Sequence, residues 1–66
     1  MQKVMTEEQA MVLEDHFIDA AKALKCAHRN MKDIDGFEQT CKEVADAALD
    51  ADNAAAQMRQ WITDNT

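Results

Sequence analysis

Residues 37–62 read FEQTCKEVADAALDADNAAAQMRQWI and hold the most regular pattern in the chain. Eight residues recur there at alternating spacings of four and three: Phe37, Cys41, Val44, Ala48, Ala51, Ala55, Met58 and Ile62. Such spacing puts all eight on one side of a single α-helix. Three of them are alanines, so the pattern predicts a helix that another helix can approach closely.

A second stripe of the same kind occupies the first half of the chain. It follows Thr6 and the acidic pair Glu7 and Glu8, with Gln9 three residues after the threonine. This arrangement is typical of a helix start, because Thr6 and Gln9 can form a capping box and the glutamates meet the positive end of the helix dipole. It predicts helix 1 from about residue 7 to about residue 32, with an inward stripe of Ala10, Leu13, Phe17, Ala20, Leu24, Ala27 and Met31.

A turn is predicted between the two stripes, where residues 33–38 read DIDGFE and include the only glycine, Gly36. Asp35, with Glu38 three residues later, predicts a second reciprocal cap. We therefore expect a turn at about residues 33–35 and helix 2 from about residue 36 to about residue 64. A short connection makes successive helices antiparallel neighbours. Residues 1–66 are predicted to form a single all-α domain, an antiparallel helical hairpin.

Folding the chain about residues 33 and 34 predicts which residues stand opposite each other. Cys26 comes level with Cys41, Leu24 near Val44, and Leu13 near Ala54 and Ala55. Large residues of helix 1 then meet small residues of helix 2, as interdigitating layers require.

The supply of large apolar side chains is small for a domain that stands alone. Hydrophobic residues make up 47% of the 66 residues, but many of them are alanines, and a chain of this length is near the lower limit for a single core. Helix 2 carries small residues on both flanks of its stripe, so it can accept two neighbours. The sequence therefore predicts a homodimer, with two hairpins forming a four-helix bundle.

The formal charge of −6 disfavours non-specific attraction to nucleic acid or to an anionic membrane. No apolar run approaches the roughly 18–20 residues of a membrane span, and the first residues lack the apolar core of a signal peptide. We expect a cytoplasmic protein in which Cys26 and Cys41 are reduced thiols.

No constellation of catalytic or metal-binding residues is present in the sequence. His16 and His28 stand twelve residues apart, which is about 18 Å along a helix, and no Cys-x-x-Cys pair, glycine-rich loop or nucleophile–base pair occurs. Cys41 lies in the inward stripe and Cys26 does not, so their directions disfavour a disulfide. The sequence predicts no enzyme, with no catalytic, cofactor or metal site.

Two surface patterns are candidates for binding a partner. Helix 1 carries a basic stripe with apolar residues further along the same face, and Trp61 lies off the main stripe of helix 2. The candidate partner-binding residues are Met11, Ile18, Lys22, Lys25, Arg29, Lys32 and Trp61. The outer face of helix 2 is acidic and polar, which is compatible with mimicry of a nucleic-acid backbone: Gln39, Glu43, Asp46, Asp50, Asn53, Gln57 and Asp64. Solvated faces with no partner are the alternative for both patterns.

The layout, two helices joined by an aspartate-containing turn in about sixty residues, resembles the Rop-type RNA-binding hairpins. The resemblance implies a homodimeric bundle that reads RNA with one face of helix 1. No functional motif aligns with that family, and Glu14, Asp15 and Asp19 stand in the middle of the corresponding face.

Three functional hypotheses follow. The first is a small acidic protein-binding module, a regulator, adaptor or inhibitor of the size common among phage-encoded proteins. The second is a Rop-like RNA-binding regulator that uses the basic stripe. The third is a structural subunit of a larger assembly.

Overall fold

The computed structural model describes residues 4–65, which form two α-helices packed against each other. Helix α1 spans Glu7–Met31 and helix α2 spans Glu38–Asp64. The helices run antiparallel, because Glu14 near the start of α1 contacts Arg59 near the end of α2. The molecule is a rod of 47 × 22 × 14 Å. The described residues contain no strand, so the predicted all-α helical hairpin is confirmed.

Helix α1 begins with the capping box that its sequence predicts. The Thr6 hydroxyl accepts a hydrogen bond from the backbone N–H of Gln9 at 3.1 Å, and the Gln9 side chain accepts one from the backbone N–H of Thr6 at 3.0 Å. Two backbone donors that lack partners within the helix are satisfied in this way. The sequence therefore sets the start of α1 locally, without help from α2.

The connection between the helices is longer than predicted and spans residues 32–37. Gly36 adopts a φ of +92°, a conformation that side chains disfavour and glycine accepts. Phe37 rather than Asp35 is the N-cap of α2, and no side chain caps this end. The predicted cap at Asp35 is wrong, because the turn at Gly36 delays the helix until Glu38. The Glu38 carboxylate accepts a long hydrogen bond of 3.4 Å from the N–H of Gly36.

The interface between α1 and α2 is lined by small residues. The buried side chains are Ala10, Ala21, Cys41, Ala48 and Ala55. In the described part of the chain, no large side chain is fully buried. The Cys41 thiol contacts the backbone carbonyl of His28 at 3.9 Å. Alanines line the contact, as predicted, and the large apolar side chains lie at its edges.

The stripe predicted for helix 2 forms the contact with α1, with one exception. Cys41, Ala48 and Ala55 are buried, and the other members inside the helix are half-buried. Phe37 is exposed because it precedes the helix as its N-cap.

The stripe predicted for helix 1 is partly wrong, since α1 is rotated about its axis relative to the prediction. Leu13 and Ala20 are exposed, and Ala21, which lies outside the predicted stripe, is buried. Glu14 is also largely covered, with 12% of its side chain exposed. The inward row of α1 therefore runs about one residue later than the apolar stripe.

The predicted register is also shifted along α2. His28 rather than Cys26 stands opposite Cys41, and Glu14 meets Arg59 rather than the neighbours of Ala54. The longer connection causes the shift, because it moves the start of α2 toward the C-terminus. Cys41 is buried, Cys26 is exposed, and both are free thiols.

Candidate interaction surfaces

The hairpin has two long sides, one on each flank of the line along which α1 meets α2. On α1, residues three and four apart share a flank, so Lys25 and Arg29 lie on one side of the buried row and Leu13 and Ala20 on the other. We call the first the ion-paired side, because it carries Glu14–Arg59 and Lys25–Asp52, the ion pairs found within residues 4–65. We call the opposite one the apolar side.

Both ion pairs on the ion-paired side join α1 to α2. The Arg59 guanidinium donates from Nε to the Glu14 carboxylate at 2.8 Å and from Nη2 to its other oxygen at 3.5 Å. Lys25 Nζ lies 2.9 Å from Asp52 Oδ2, and both of these side chains are well exposed to solvent. The first pair has the stronger geometry, because a guanidinium contacts both oxygens of a largely covered carboxylate.

A shallow groove crosses the ion-paired side between the helices. It is lined by Lys25, His28 and Arg29 of α1 and by Ala45, Ala48, Leu49 and Asp52 of α2. Leu49 is 59% exposed, so the groove combines basic groups with an uncovered large apolar side chain. The sequence prediction missed Leu49, and its position off the main stripe of helix 2 was the signal that could have identified it.

The structure brings together most of the predicted partner-binding residues. Lys22, Arg29 and Met11 are exposed on the same flank of α1 as Lys25, Met11 being 52% exposed. Ile18 is half-buried there, and Lys32 follows as the C-cap of α1.

Lys22, Arg29 and Lys32 form no ion pair within the described residues, whereas Lys25 is held by Asp52. Trp61 is half-buried and its helical position puts it on the apolar side. The predicted set therefore divides between two surfaces, with the basic residues on one and the tryptophan on the other.

The apolar side contains uncharged residues along both helices. Its α2 half is an alanine row that ends in larger side chains, and its α1 half carries most of the predicted helix 1 stripe. Its members are Leu13, Phe17, Ala20, Leu24, Ala27 and Met31 of α1, and Ala47, Ala51, Ala54, Met58 and Trp61 of α2. Leu13 and Ala20 are exposed and the other nine members are half-buried, so this side is only partly covered within one hairpin.

A further apolar depression lies at the start of α1, where the capping box meets the first turns. Met5, Thr6, Glu8, Gln9, Val12, Leu13 and His16 line it. Val12 and Leu13 are both substantially exposed. The depression adjoins the apolar side through Leu13 and extends the uncovered surface toward the end of the rod.

The acidic residues predicted on the outer face of helix 2 are exposed in the structure. Gln39 donates to the Glu43 carboxylate at 3.5 Å, and Gln60 donates to Asp64 at 2.9 Å. These contacts run along the helix and leave the carboxylates accessible to solvent. Nothing in their arrangement distinguishes a binding surface from a solvated helix face.

The titratable side chains of the described residues do not converge on a site. No three His, Cys, Asp or Glu side chains are grouped closely enough there to hold a metal ion. Neither described helix combines the length and the apolar character that crossing a membrane requires. No protein-family model, curated protein or solved structure matches the chain. Its function must therefore be inferred from its two sides.

Proposed function

We propose that this chain is a small, acidic, non-enzymatic protein-binding module, a regulator, adaptor or inhibitor, that works as a homodimeric four-helix bundle. The observation that carries the proposal is the lack of any fully buried large side chain among residues 4–65. The chain exposes 5231 Å², whereas a compact monomer of its mass would expose about 4,200 Å². A surface of this kind suits a protein that is completed by other chains.

The ion-paired side is the surface that we assign to the protein partner. It presents Lys22, Arg29 and Lys32 without ion-pair partners in the described structure, beside the exposed Met11 and Leu49. Apolar anchors with a basic margin match a partner surface with acidic groups around an apolar contact. Because the net charge of this chain is −6, its other surfaces repel an acidic partner, which favours docking on the ion-paired side.

RNA binding by the same basic residues is the second candidate. The three cations without ion pairs favour it, because they are free to contact phosphates. No aromatic side chain lies among them, although single-stranded RNA is commonly held by stacking on aromatic residues. A structural subunit of a larger assembly is the third candidate, in which both sides would be covered permanently.

The test is capture of binding proteins from an extract of the native host with three forms of the full chain. The forms are the unaltered protein, the double variant Lys22→Gln with Arg29→Gln, and a control, Gln39→Glu with Gln57→Glu, that makes the same charge change of −2 on the exposed outer face of α2. We expect a set of proteins that the unaltered chain and the control retain and the double variant loses, and high salt should weaken their retention.

Three outcomes would contradict this proposal. Retention of the same proteins by all three forms would exclude the ion-paired side. Retention that disappears after nuclease treatment would favour the RNA-binding candidate. A chain that retains no protein at any salt concentration would contradict the protein-binding module itself.

A further inference from the structure

We infer that the apolar side is the surface that a second copy of the chain covers, in a twofold-symmetric contact, and that the ion-paired side stays free. This inference rests on the proposed homodimer and identifies its interface. It follows from the area, the shape and the charge of the apolar side and from the rotation of α1.

The uncovered area matches what a dimer needs. The chain exposes 5231 Å², which is about 1,000 Å² more than a compact monomer of its mass. A stable protein–protein interface buries about 800 Å² on each partner. One such contact therefore removes most of the excess, and the half-buried side chains of the apolar side are the ones that it would cover.

The shape of the apolar side is complementary to itself. Its α1 half carries bulky side chains, namely Leu13, Phe17, Leu24 and Met31. The middle of its α2 half has only small side chains, because Ala47, Ala51 and Ala54 follow one another there at helical spacing. In a twofold contact the same surface faces itself, so the ridge of one copy meets the alanine row of the other at two equivalent places. An unrelated partner would have no reason to match both halves.

The rotation of α1 points to the same side. A helix that contacts a single neighbour directs the centre of its apolar stripe at that neighbour. In α1, Leu13 and Ala20 belong to the stripe but are exposed, while Glu14 is largely covered against α2. The apolar stripe of α1 is therefore turned partly away from α2 and toward the apolar side, as expected of a helix with neighbours in both directions.

Charge makes the ion-paired side the poorer dimer interface. A second copy on that side would cover Lys25 and Asp52, and removing ions from water is costly even when they remain paired. The apolar side is formed by eleven uncharged residues, and the charge nearest to them around the axis of α2 is Glu43 at its outer margin, about five helical turns before Trp61. Salt screens the repulsion between two chains of charge −6 but does not weaken the apolar contact itself.

Trp61 allows a test on the unaltered protein, because it is the only tryptophan and belongs to the apolar side. Mass by light scattering and quenching of Trp61 fluorescence by acrylamide would be measured across one dilution series. We expect a twofold fall in mass on dilution and a rise in quenching over the same concentrations. A mass that falls while Trp61 quenching stays constant would overturn the apolar side as the interface and leave the proposed dimer intact.

A matched pair of variants tests the side directly. Ala20 and Ala56 are both exposed in the hairpin, so glutamate at either position leaves the contact between α1 and α2 intact. Ala20 lies on the apolar side and Ala56 on the other. We expect Ala20→Glu to raise the dimer dissociation constant more than about a hundredfold, because it buries unpaired charge in the interface. Ala56→Glu should leave the dissociation constant within about threefold.

Each remaining outcome is decisive. Loss of helicity in Ala20→Glu and not in Ala56→Glu would also support the inference, since both variants make the same change of charge and helix propensity at an exposed position. Dissociation by Ala56→Glu and not by Ala20→Glu would place the interface on the ion-paired side and overturn the inference, while the proposed homodimer stands. A monomeric unaltered chain at every concentration would reject both the inference and the homodimer.

Discussion

The two sides of the hairpin differ in how far the side chains of one chain find partners within that chain. On the ion-paired side, Glu14 finds Arg59 and Lys25 finds Asp52 within the same molecule. On the apolar side, Phe17, Leu24 and Met58 are only half-buried and have no third helix to cover them. Charges on neighbouring helices can pair across a narrow contact, whereas a large apolar side chain needs neighbours on several sides to leave water.

This difference shows why a two-helix hairpin with an alanine contact is an incomplete unit. Alanines such as Ala21 and Ala48 let the helices approach closely, but each of them removes little apolar area from water. The larger side chains are displaced to the edges of the contact. The stability of the fold is therefore expected to depend on what covers the apolar side.

The largest difference between the two sides is expected from a matched pair of leucine truncations. Leu24→Ala, on the apolar side, should lower the free energy of unfolding by about 2–5 kcal/mol, the usual cost for a leucine in a complete core. Leu49→Ala, on the ion-paired side, should change it by less than about 0.5 kcal/mol, because Leu49 is already 59% exposed. Urea denaturation at one fixed protein concentration would measure both values.

The size of the Leu24→Ala effect carries further information. A half-buried leucine in a lone hairpin would cost only about 1 kcal/mol, so a larger value requires a second chain over the apolar side. Because the stability of a dimer depends on protein concentration, the cost should be measured again after dilution. Equal effects of the two truncations would mean that the sides do not differ in the way we describe.

Local sequence signals predicted the start of α1 correctly but not the start of α2. Thr6 and Gln9 form the predicted capping box, because all of its hydrogen bonds lie within four residues. Asp35 and Glu38 carry a similar pattern and do not cap α2. Their geometry depends on the positive φ of Gly36, which the pattern of side chains alone does not reveal.

Periodicity predicted α2 better than α1 for a physical reason. The stripe through Cys41, Ala48 and Ala55 is buried as predicted, since these small residues allow the close approach of α1. The stripe of α1 includes Leu13 and Ala20, which α2 does not cover. An apolar stripe reflects every neighbour that a helix packs against, and within the hairpin α2 covers only part of the stripe of α1.

The sequence predicted which residues of helix 1 form the basic stripe, but not which residues of α2 lie beside them. The basic spacing of helix 1 places Lys22 and Arg29 on one flank, and the structure adds Leu49 from α2 across the groove. Their alignment depends on the register between the helices, which the longer connection shifts. Trp61 is separated from these residues because its position around the axis of α2 puts it on the apolar side.

Gly36→Ala tests the turn between α1 and α2, which belongs to neither side of the hairpin. The +92° φ of Gly36 favours glycine, and a Cβ there would meet no atom within 4 Å, so the cost is one of backbone conformation. We expect a loss of about 1–2 kcal/mol, measured by thermal unfolding. The dimer interface should keep its location, so Trp61 quenching on dilution should still follow mass. A loss of the mass–quenching relation would show that the turn positions the apolar side.

Thr6→Ala should have a smaller effect, because it removes only the cap of α1. The expected loss is about 1 kcal/mol, with Thr63→Ala as the control. Thr63 is exposed near the end of α2, and its hydroxyl donates to the carbonyl of Arg59, an interaction that we expect to contribute less than about 0.5 kcal/mol. Circular dichroism during urea denaturation compares the two variants. A larger loss for Thr63→Ala would contradict the role of the capping box.

The smallest effects are expected for the two ion pairs of the ion-paired side. Double-mutant cycles with alanine should give a coupling energy below about 1 kcal/mol for both pairs, and Glu14–Arg59 should exceed Lys25–Asp52. The order follows from geometry, because Arg59 contacts both oxygens of a carboxylate that is only 12% exposed, while the lysine pair is open to water and is screened by salt. A coupling energy well above this limit in either pair would mean that charge, and not the cover of the apolar side, holds the hairpin together.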